Sequence, residues 1–579
     1  MRATTNVAAA AGAGALLVTA AVVSGVLSGG SSDSTTTAPP TTADAARLLT
    51  QATFGPTDAD IAAVQSAGIS GWVTQQEAMP YTYSTLAYMN KRQAANPPSI
   101  GADNFFQESF WTRAATGQDQ LRQRVQFALS QIFVISLQNG EINAQGAGSY
   151  YDMLGANAFG NFRTLLEKVT LHPMMGVYLT SLANVKENPA TGQHPDQNYA
   201  REVMQLMTIG LVQLNQDGTP KLDSHGNTIP TYGPSDVEGL AQVFTGYSWY
   251  SPSPNSTSFF FPYPPDLFQK NLASVTPMIA YPQYHSISQK TFLGKTIPAV
   301  SAASTTEMSS DLKTALDALF NHPNVGPFIG KQLIQRLVTS NPSPAYVHRV
   351  ALTFDDDGNG VRGNMGAVVK AILTDPEARD PTLAAGPNYG KLREPVLRIT
   401  NWMRAFKATS KSGVYEISRS GDPLQAEESL LYANSVFNFW RPGYVPPNTR
   451  LSAQNLTAPE FQVVNELSTI NYVNGMVALV DYGIGFNNIT WSGTDVTSNY
   501  ATEVSLANNP TALVARMNEL LFCGSMSTTL QNQIIAAVNA VPVPKATSTN
   551  SAAVNAALLI RAKTAVYLSL TSGEYLAQR

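Results

Sequence analysis

Apolar residues recur at helical spacing through most of this chain, and that period restricts it to folds made by stacking helices. Leu121, Val125, Ala128, Leu129, Ile132 and Phe133 stand at i, i+4, i+7, i+8, i+11 and i+12, the stripe one helix turns toward a core, with Arg122 and Arg124 off it. Further stripes occupy 162–169, 203–211, 367–373 and 397–406, and helix returns over 511–579. Strand signals are few, the clearest over 211–232, where Gln216-Asp217-Gly218-Thr219 and Ser224-His225-Gly226-Asn227 read as turns between short extended pieces. Over 251–298 the period is lost in a segment rich in Pro, Ser, Tyr and Phe, whose aromatic residues Phe259, Phe260, Phe261, Tyr263 and Phe268 argue for packing. The expected fold is mainly α, a multi-helix globular domain with a short β-hairpin region and a long irregular insertion.

An internal helical duplication is one reading of a second pattern. Thr164, Leu166, Glu167, Val169, His172, Pro173, Gly176, Tyr178 and Leu179 align at a constant offset with Thr314, Leu316, Asp317, Leu319, His322, Pro323, Gly326, Phe328 and Ile329. Each copy is a helix, a His-Pro junction and a second helix, with Pro in the first turn, where its missing N–H is not needed. Tyr199 and Val203 match Tyr346 and Val350 at a similar offset. Duplication and chance similarity between amphipathic helix pairs both account for these matches.

The N-terminus addresses location. Arg2 precedes a small-apolar run over 7–27, followed by a Ser/Thr-rich stretch and Ala38-Pro39-Pro40. This reads as an export signal, with Val26 and Ser28 as the small pair before a cleavage site. The run is also long enough to span a bilayer, so an uncleaved anchor is the alternative. No cysteine follows it, which gives a lipid anchor no support. The expected organisation is an export signal or anchor over 1–30, a linker over 31–43, a main helical domain over 44–510 carrying the 251–298 insertion, and a C-terminal helical segment over 511–579 packed on it. The expected location is extracytoplasmic: periplasm, envelope or secreted.

Composition removes several function classes. With 36 Lys+Arg against 40 Asp+Glu the net charge is −4, so the chain lacks the basic footprint of a nucleic-acid binder and no nucleic-acid partner is expected. No segment after the first has 18 consecutive apolar residues, so no membrane contact is expected beyond that N-terminal anchor. Cys523 is the one cysteine, which excludes an intramolecular disulfide and a Cys-rich metal site.

Few motifs carry chemistry. Gly294-Lys295-Thr296 lacks the upstream Gly of a phosphate loop, since position 289 is Gln289. Ser310 and Lys313 satisfy Ser-x-x-Lys, but Ser310 is expected to cap a helix. In Asp355-Asp356-Asp357-Gly358-Asn359-Gly360-Val361-Arg362-Gly363, Asp355, Asp357 and Asn359 stand at positions 1, 3 and 5 of a calcium loop, with Gly360 at position 6. Position 12 is Gly366 where a bidentate Glu belongs, so the choice is between a weak site and a polar helix connector with Asn364 starting the next helix.

The catalytic candidates are His172, His285, Asp196, Arg201 and Glu202. Asp196, Arg201 and Glu202 lie in His194-Pro195-Asp196-Gln197-Asn198-Tyr199-Ala200-Arg201-Glu202, and His172 and His285 would complete a His/carboxylate site for a divalent metal ion or for proton transfer. In the alternative, Asp196 or Asn198 caps a helix while Arg201 and Glu202 form ion pairs. Lys391, Arg393, Glu394 and Arg398, with Arg122 and Arg124, are concentrated charges in a charge-poor chain. They are expected in structural ion-pair networks, with anion binding as the other reading. The aromatic loop Asn438-Phe439-Trp440-Arg441-Pro442-Gly443-Tyr444 is either a ligand-facing platform or part of the core.

Six ordered segments resemble a known family. They are Ala46-Arg47-Leu48-Leu49-Thr50-Gln51-Ala52-Thr53-Phe54-Gly55-Pro56, Asp119-Gln120-Leu121-Arg122-Gln123-Arg124-Val125, Asn198-Tyr199-Ala200-Arg201-Glu202, Asn321-His322-Pro323-Asn324-Val325-Gly326-Pro327-Phe328, Gly360-Val361-Arg362-Gly363 and Gly390-Lys391-Leu392-Arg393-Glu394-Pro395. In these the chain resembles the bacterial domain of unknown function 1800 (DUF 1800) family. The resemblance implies an exported, largely helical protein, often encoded beside a second exported family. It implies no activity, substrate or catalytic residue. Two functions are therefore expected as alternatives: a binding or assembly component acting with a partner exported protein, and a metal-assisted extracytoplasmic hydrolase using His172, His285, Asp196 and Glu202, with Arg201 positioning an anion.

Overall fold

Two helices without a solvent face, Gln120–Ser130 and Pro395–Ala405, form the centre of the protein, and the Ala102–Thr116 helix lies against both. The computed structural model describes residues 38–95, 102–251, 259–261, 267–417, 428–486 and 494–579. The apolar run over 7–27 and the linker up to residue 37 lie outside the described residues, as do Tyr263 and the side chain of Phe268.

The first central helix departs from expectation in one respect. Arg122 and Arg124 are buried with the apolar stripe, not turned away from it. A buried polar side chain must find partners inside the protein, and here the partners are backbone carbonyls of neighbouring segments. Arg122 donates to Gly155 O at 3.2 Å and Met79 O at 2.9 Å, Gln126 donates to Tyr151 O, and Arg124 donates to Arg336 O. Neither arginine has a carboxylate within ion-pair distance among the described residues, which corrects the network expected of them. Ile132 and Phe133 fall beyond the helix end and are buried in the turn that follows it.

The remaining expected helices are present as Phe162–Leu171, Asn198–Gln205 and Met365–Thr374. Asn198–Gln205 stops short of the apolar pattern, and Leu211 is left exposed. The protein is mainly α, with three two-stranded sheets and one three-stranded sheet among the described residues. Residues 211–232 hold their hairpin shape through isolated bridges, Val212 with Pro230, Leu214 with Pro220 and Leu222 with Thr228. The cap expected at Ser310 is instead Ser304, whose side chain accepts from Glu307 N, and Ser310 sits inside the Thr305–Phe320 helix.

The insertion is more regular than expected. It contains the helix Leu267–Val275 and the hairpin Lys290–Phe292 with Lys295–Ile297. The hairpin packs on the Pro234–Val243 helix at Gly239, where a Cβ would stand 2.0 Å from Thr291 O. Only glycine permits that approach. Phe260 is buried and stacks on Tyr284 at 3.7 Å between ring centroids, whereas Phe261 is 60 % exposed.

The two His-Pro junctions share one local hydrogen bond. His172 Nδ1 accepts from Met174 N at 3.2 Å, and His322 Nδ1 accepts from Asn324 N at 3.1 Å. In the first copy the imidazole takes the place of the usual Ser or Asp at a helix start, whereas in the second His322 and Pro323 lie in the turn before Asn324, which precedes the Val325–Leu337 helix. The preceding helices, Phe162–Leu171 and Thr305–Phe320, pack on each other, joined by Arg163 and Asp317 at 2.7 Å.

Residues 511–579 are packed into the same unit as the rest. Pro510–Phe522 contacts both Thr42–Ala52 and Pro395–Ala405, and the strand Ala577–Gln578 pairs antiparallel with Lys391–Leu392. Ser551–Leu570 is long and apolar enough to cross a membrane by length and composition, and it packs against the Glu466–Tyr482, Pro510–Phe522 and Thr528–Ala540 helices.

Candidate ligand-binding pocket

The segment 391–398 builds two different environments from one run of charges. Lys391 and Leu392 form a strand, so their side chains point to opposite sides. Lys391 faces inward: its Nζ lies 3.0 Å from Glu394 Oε1 and 2.9 Å from Glu460 Oε1, and it donates to Arg336 O at 2.9 Å. The ammonium is thus held by two carboxylates and a carbonyl. Gln131 donates to Glu394 from the opposite side, and Val396 N donates to Glu428 at 3.3 Å. Burial opposes ionisation of Glu394, but Lys391 and Arg124 outweigh it and hold this carboxyl below its usual range. Burial and the neighbouring Glu394 charge push Glu428 well above its usual range. Burial likewise raises Glu460. The structural ion-pair network expected of Lys391 and Glu394 is present here. Trp440, the centre of the aromatic loop, is buried with Arg336 4.8 Å and Lys391 5.8 Å from its ring, so it belongs to this core.

Leu392 faces the other way, into a pocket. Pro395 opens the next helix, and Arg398 lies three residues on, on the same face. Leu392, Pro395 and Arg398 form one wall of a cavity of about 420 Å³. Phe461, Val463 and Val464 form the second wall. Ser468, Thr469, Tyr472 and Val473, one side of the Glu466–Tyr482 helix, form the third, and Thr571, Gly573 and Leu576 close it. Arg393 N donates to Leu576 O at 2.7 Å, which continues the strand pairing and sets Leu576 in place.

Arg398 is 7 % exposed. Its Nε donates to Arg393 O at 2.7 Å, and its guanidinium lies 4.8 Å over the Tyr472 ring. Tyr472 is fixed in turn by donating to Leu570 O at 2.7 Å. The two terminal nitrogens of Arg398 have no hydrogen-bond or carboxylate partner among the described residues. Burial, the largest influence, lowers the pKa of this group, as desolvation does to any cation. Arg393 lies behind it, 4.2 Å over the Tyr575 ring, with Nε and Nη1 buried and unpartnered. The pocket thus combines an apolar lining with a guanidinium that has no carboxylate within ion-pair distance among the described residues.

Its rim is apolar too. Phe461, Val464 and Val473 line the cavity while staying more than a third exposed, and Leu467, Ile470 and Val477 are exposed on the same helix as Val473. Exposed apolar rows around a concavity are the usual mark of a surface that binds something.

The other candidates are placed apart from this pocket. His172 Nε2 faces Ser149 Oγ at 3.4 Å, and burial lowers its pKa to about 3. His285 lies between Thr245 O at 2.8 Å and Asp311 Oδ2 at 3.2 Å. Asp196 accepts from Thr180 Oγ1 and from Asn198 N, supporting the start of the Asn198–Gln205 helix. Arg201 reaches Gln197 at 3.4 Å, and Glu202 is raised by burial with Oε2 unpartnered. None of these five hydrogen-bonds to another through its side chain, and among the described residues no three His, Cys, Asp or Glu side chains gather as a metal site would require. In the acidic loop, Asp355 pairs with Arg362 and accepts from Gln216, while Asp357 accepts from Asn359 N, Val361 N and Asn364. Asn359 lies beside them in the turn, and Asn364 caps the Met365–Thr374 helix as a connector would.

Arg398 was legible in the sequence as a charge in a sparse background. The rest of the pocket was not, because its walls come from four separated segments. One signal was available: residues 467, 470, 473 and 477 add a second apolar arc to a helix whose buried side is Tyr472, Met476, Leu479 and Val480.

No curated protein and no solved structure matches this chain. The family described as protein of unknown function (DUF1800) matches residues 47–577, and the chain belongs to that family.

Proposed function

We propose that this chain is an exported binding protein that captures a hydrophobic ligand in the Arg398 pocket and works with a second exported protein. One observation carries the binding reading: the 420 Å³ cavity has apolar walls, an apolar rim and one buried, unpaired cation. Its volume falls in the range of small-molecule sites, about 300–1,000 Å³. Its lining holds no acid–base or nucleophile–base pair, so the geometry favours retention of a ligand over its conversion. Support for export comes from Arg2 and the apolar run over 7–27, and support for a partner comes from the family resemblance.

Binding is tested with the neutral apolar fluorophore N-phenyl-1-naphthylamine on the purified full chain. Saturable fluorescence enhancement, abolished by Val473→Trp, is the expected result, and non-saturable or mutation-insensitive signal overturns the reading. Export is tested by N-terminal sequencing of the protein from periplasm, envelope and medium. A start after residue 28, or an intact envelope-bound form, is expected, and a cytosolic protein retaining residues 7–27 overturns it. Crosslinking in intact cells is expected to join the chain to one exported protein, and recovery of the chain alone removes the partner from the proposal.

A further inference from the structure

We propose that the pocket is selective for an alkyl monocarboxylate, its head on the terminal nitrogens of Arg398 and its hydrocarbon chain against Val463, Val464, Tyr472, Val473 and Leu576. This rests on the binding reading above and specifies its ligand class.

The argument is one of unsatisfied donors. Every hydroxyl in the lining already donates within the protein. Ser468 Oγ donates to Val463 O at 3.2 Å, Thr469 Oγ1 to Asn465 O at 2.8 Å, Thr571 Oγ1 to Tyr567 O at 2.8 Å, and Tyr472 to Leu570 O at 2.7 Å. A sugar or a peptide would bring several acceptor oxygens into these walls with no free donor besides Arg398 to meet them, which costs free energy for each unpaired group. A ligand with a single polar end and an otherwise apolar body leaves none. That end must accept hydrogen bonds, because the guanidinium has donors and no acceptor, and the positive charge favours an anion among acceptors.

The charge balance agrees. Lys391 engages Glu394 and Glu460, and among the described residues no carboxylate lies within ion-pair distance of Arg398 or Arg393. With Nε held by Arg393 O, Arg398 offers its two terminal nitrogens side by side, the arrangement that grips both oxygens of one carboxylate. A single exposed edge on one cation matches a monoanion better than a phosphate monoester, whose second charge and further oxygens would find no donor.

The test measures displacement of N-phenyl-1-naphthylamine from the full chain by three twelve-carbon compounds: dodecanoate, dodecan-1-ol and dodecyltrimethylammonium. Dodecanoate is expected to displace the probe at a concentration at least tenfold below dodecan-1-ol, and the ammonium compound to be weakest. Arg398→Met, checked for a native melt, is expected to erase the advantage of dodecanoate and leave dodecan-1-ol unchanged. Val473→Trp, which fills the cavity with Arg398 intact, is expected to weaken acid and alcohol alike. Equal displacement by acid and alcohol, or an advantage that survives Arg398→Met, overturns the carboxylate assignment and leaves the binding reading standing. Failure of both the probe and directly titrated dodecanoate to bind overturns the two together.

Discussion

Lys391 and Arg398 stand seven residues apart with 4 % and 7 % of their surface exposed, yet Lys391 touches two carboxylates and Arg398 touches none. Their replacement by Met should therefore have opposite signatures. Lys391→Met strands Glu394 and Glu460 as buried acids without a cation and is expected to lower unfolding free energy by about 3–5 kcal/mol. Arg398→Met strands only the carbonyl of Arg393 and is expected to cost less than about 1.5 kcal/mol while removing carboxylate selectivity. Urea denaturation of the two variants checks the contrast, and similar losses would contradict it.

His172 caps the Pro173–Tyr178 helix from a fully buried position. His172→Ala is expected to cost about 2 kcal/mol, roughly half from the lost cap and half from the vacated volume. His172→Asn keeps an acceptor at the helix start and should recover about 1 kcal/mol. Burial lowers His172 to about 3, while the unfolded chain protonates near pH 6.5. As pH falls below about 6.5 the unfolded state gains a proton that the folded state refuses, so stability is lost down toward pH 3. Melts of His172→Asn across that window should show a shallower pH dependence than the parent.

Glu77 gives the reverse slope. Burial pushes its carboxyl up to about 7, with Lys370 only partly opposing the shift. A raised carboxyl favours the folded state while protonated, and that contribution is lost as pH rises from the unfolded value near 4.3 to about 7. Glu77→Gln should match the parent at pH 4 and melt at a higher temperature at pH 8. Parallel melting curves for the two proteins at both values would contradict the assignment.

Gly390 has φ of +107°, and a Cβ there would stand 2.4 Å from Gln578 O. Gly390→Ala is therefore expected to push the Ala577–Gln578 strand off Lys391–Leu392 and to displace Leu576 from the pocket. Hydrogen exchange at the Arg393 amide, which donates to Leu576 O, should accelerate more than tenfold, with weaker probe binding at the same time. Unchanged protection at Arg393 would separate the pocket from the strand.

The legible part of the fold was its periodicity. The 162–169, 367–373 and 397–406 stripes became helices within a few residues of their apolar limits, since alternation at helical spacing reports a helix and its buried side directly. The helix over 120–130 was legible as a helix but not as a wholly buried one, because nothing local shows that Arg122, Arg124 and Gln126 will meet carbonyls from other segments. The insertion was read as irregular because Leu267–Val275 is short and the prolines around it mask its period. At the site, the two fates of the charges at 391–398 depend on Glu460 and Tyr472, which no spacing rule connects to them.

The pairing of Ala577–Gln578 with Lys391–Leu392 also sets a timetable. During synthesis the Arg398 wall emerges long before Thr571, Gly573 and Leu576, so a nascent chain passes through a stage at which the cation exists and its cavity does not. Under the proposed binding function, capture is thus confined to molecules whose translation has advanced through residue 578, and a stalled or clipped polypeptide would be silent by construction of the fold.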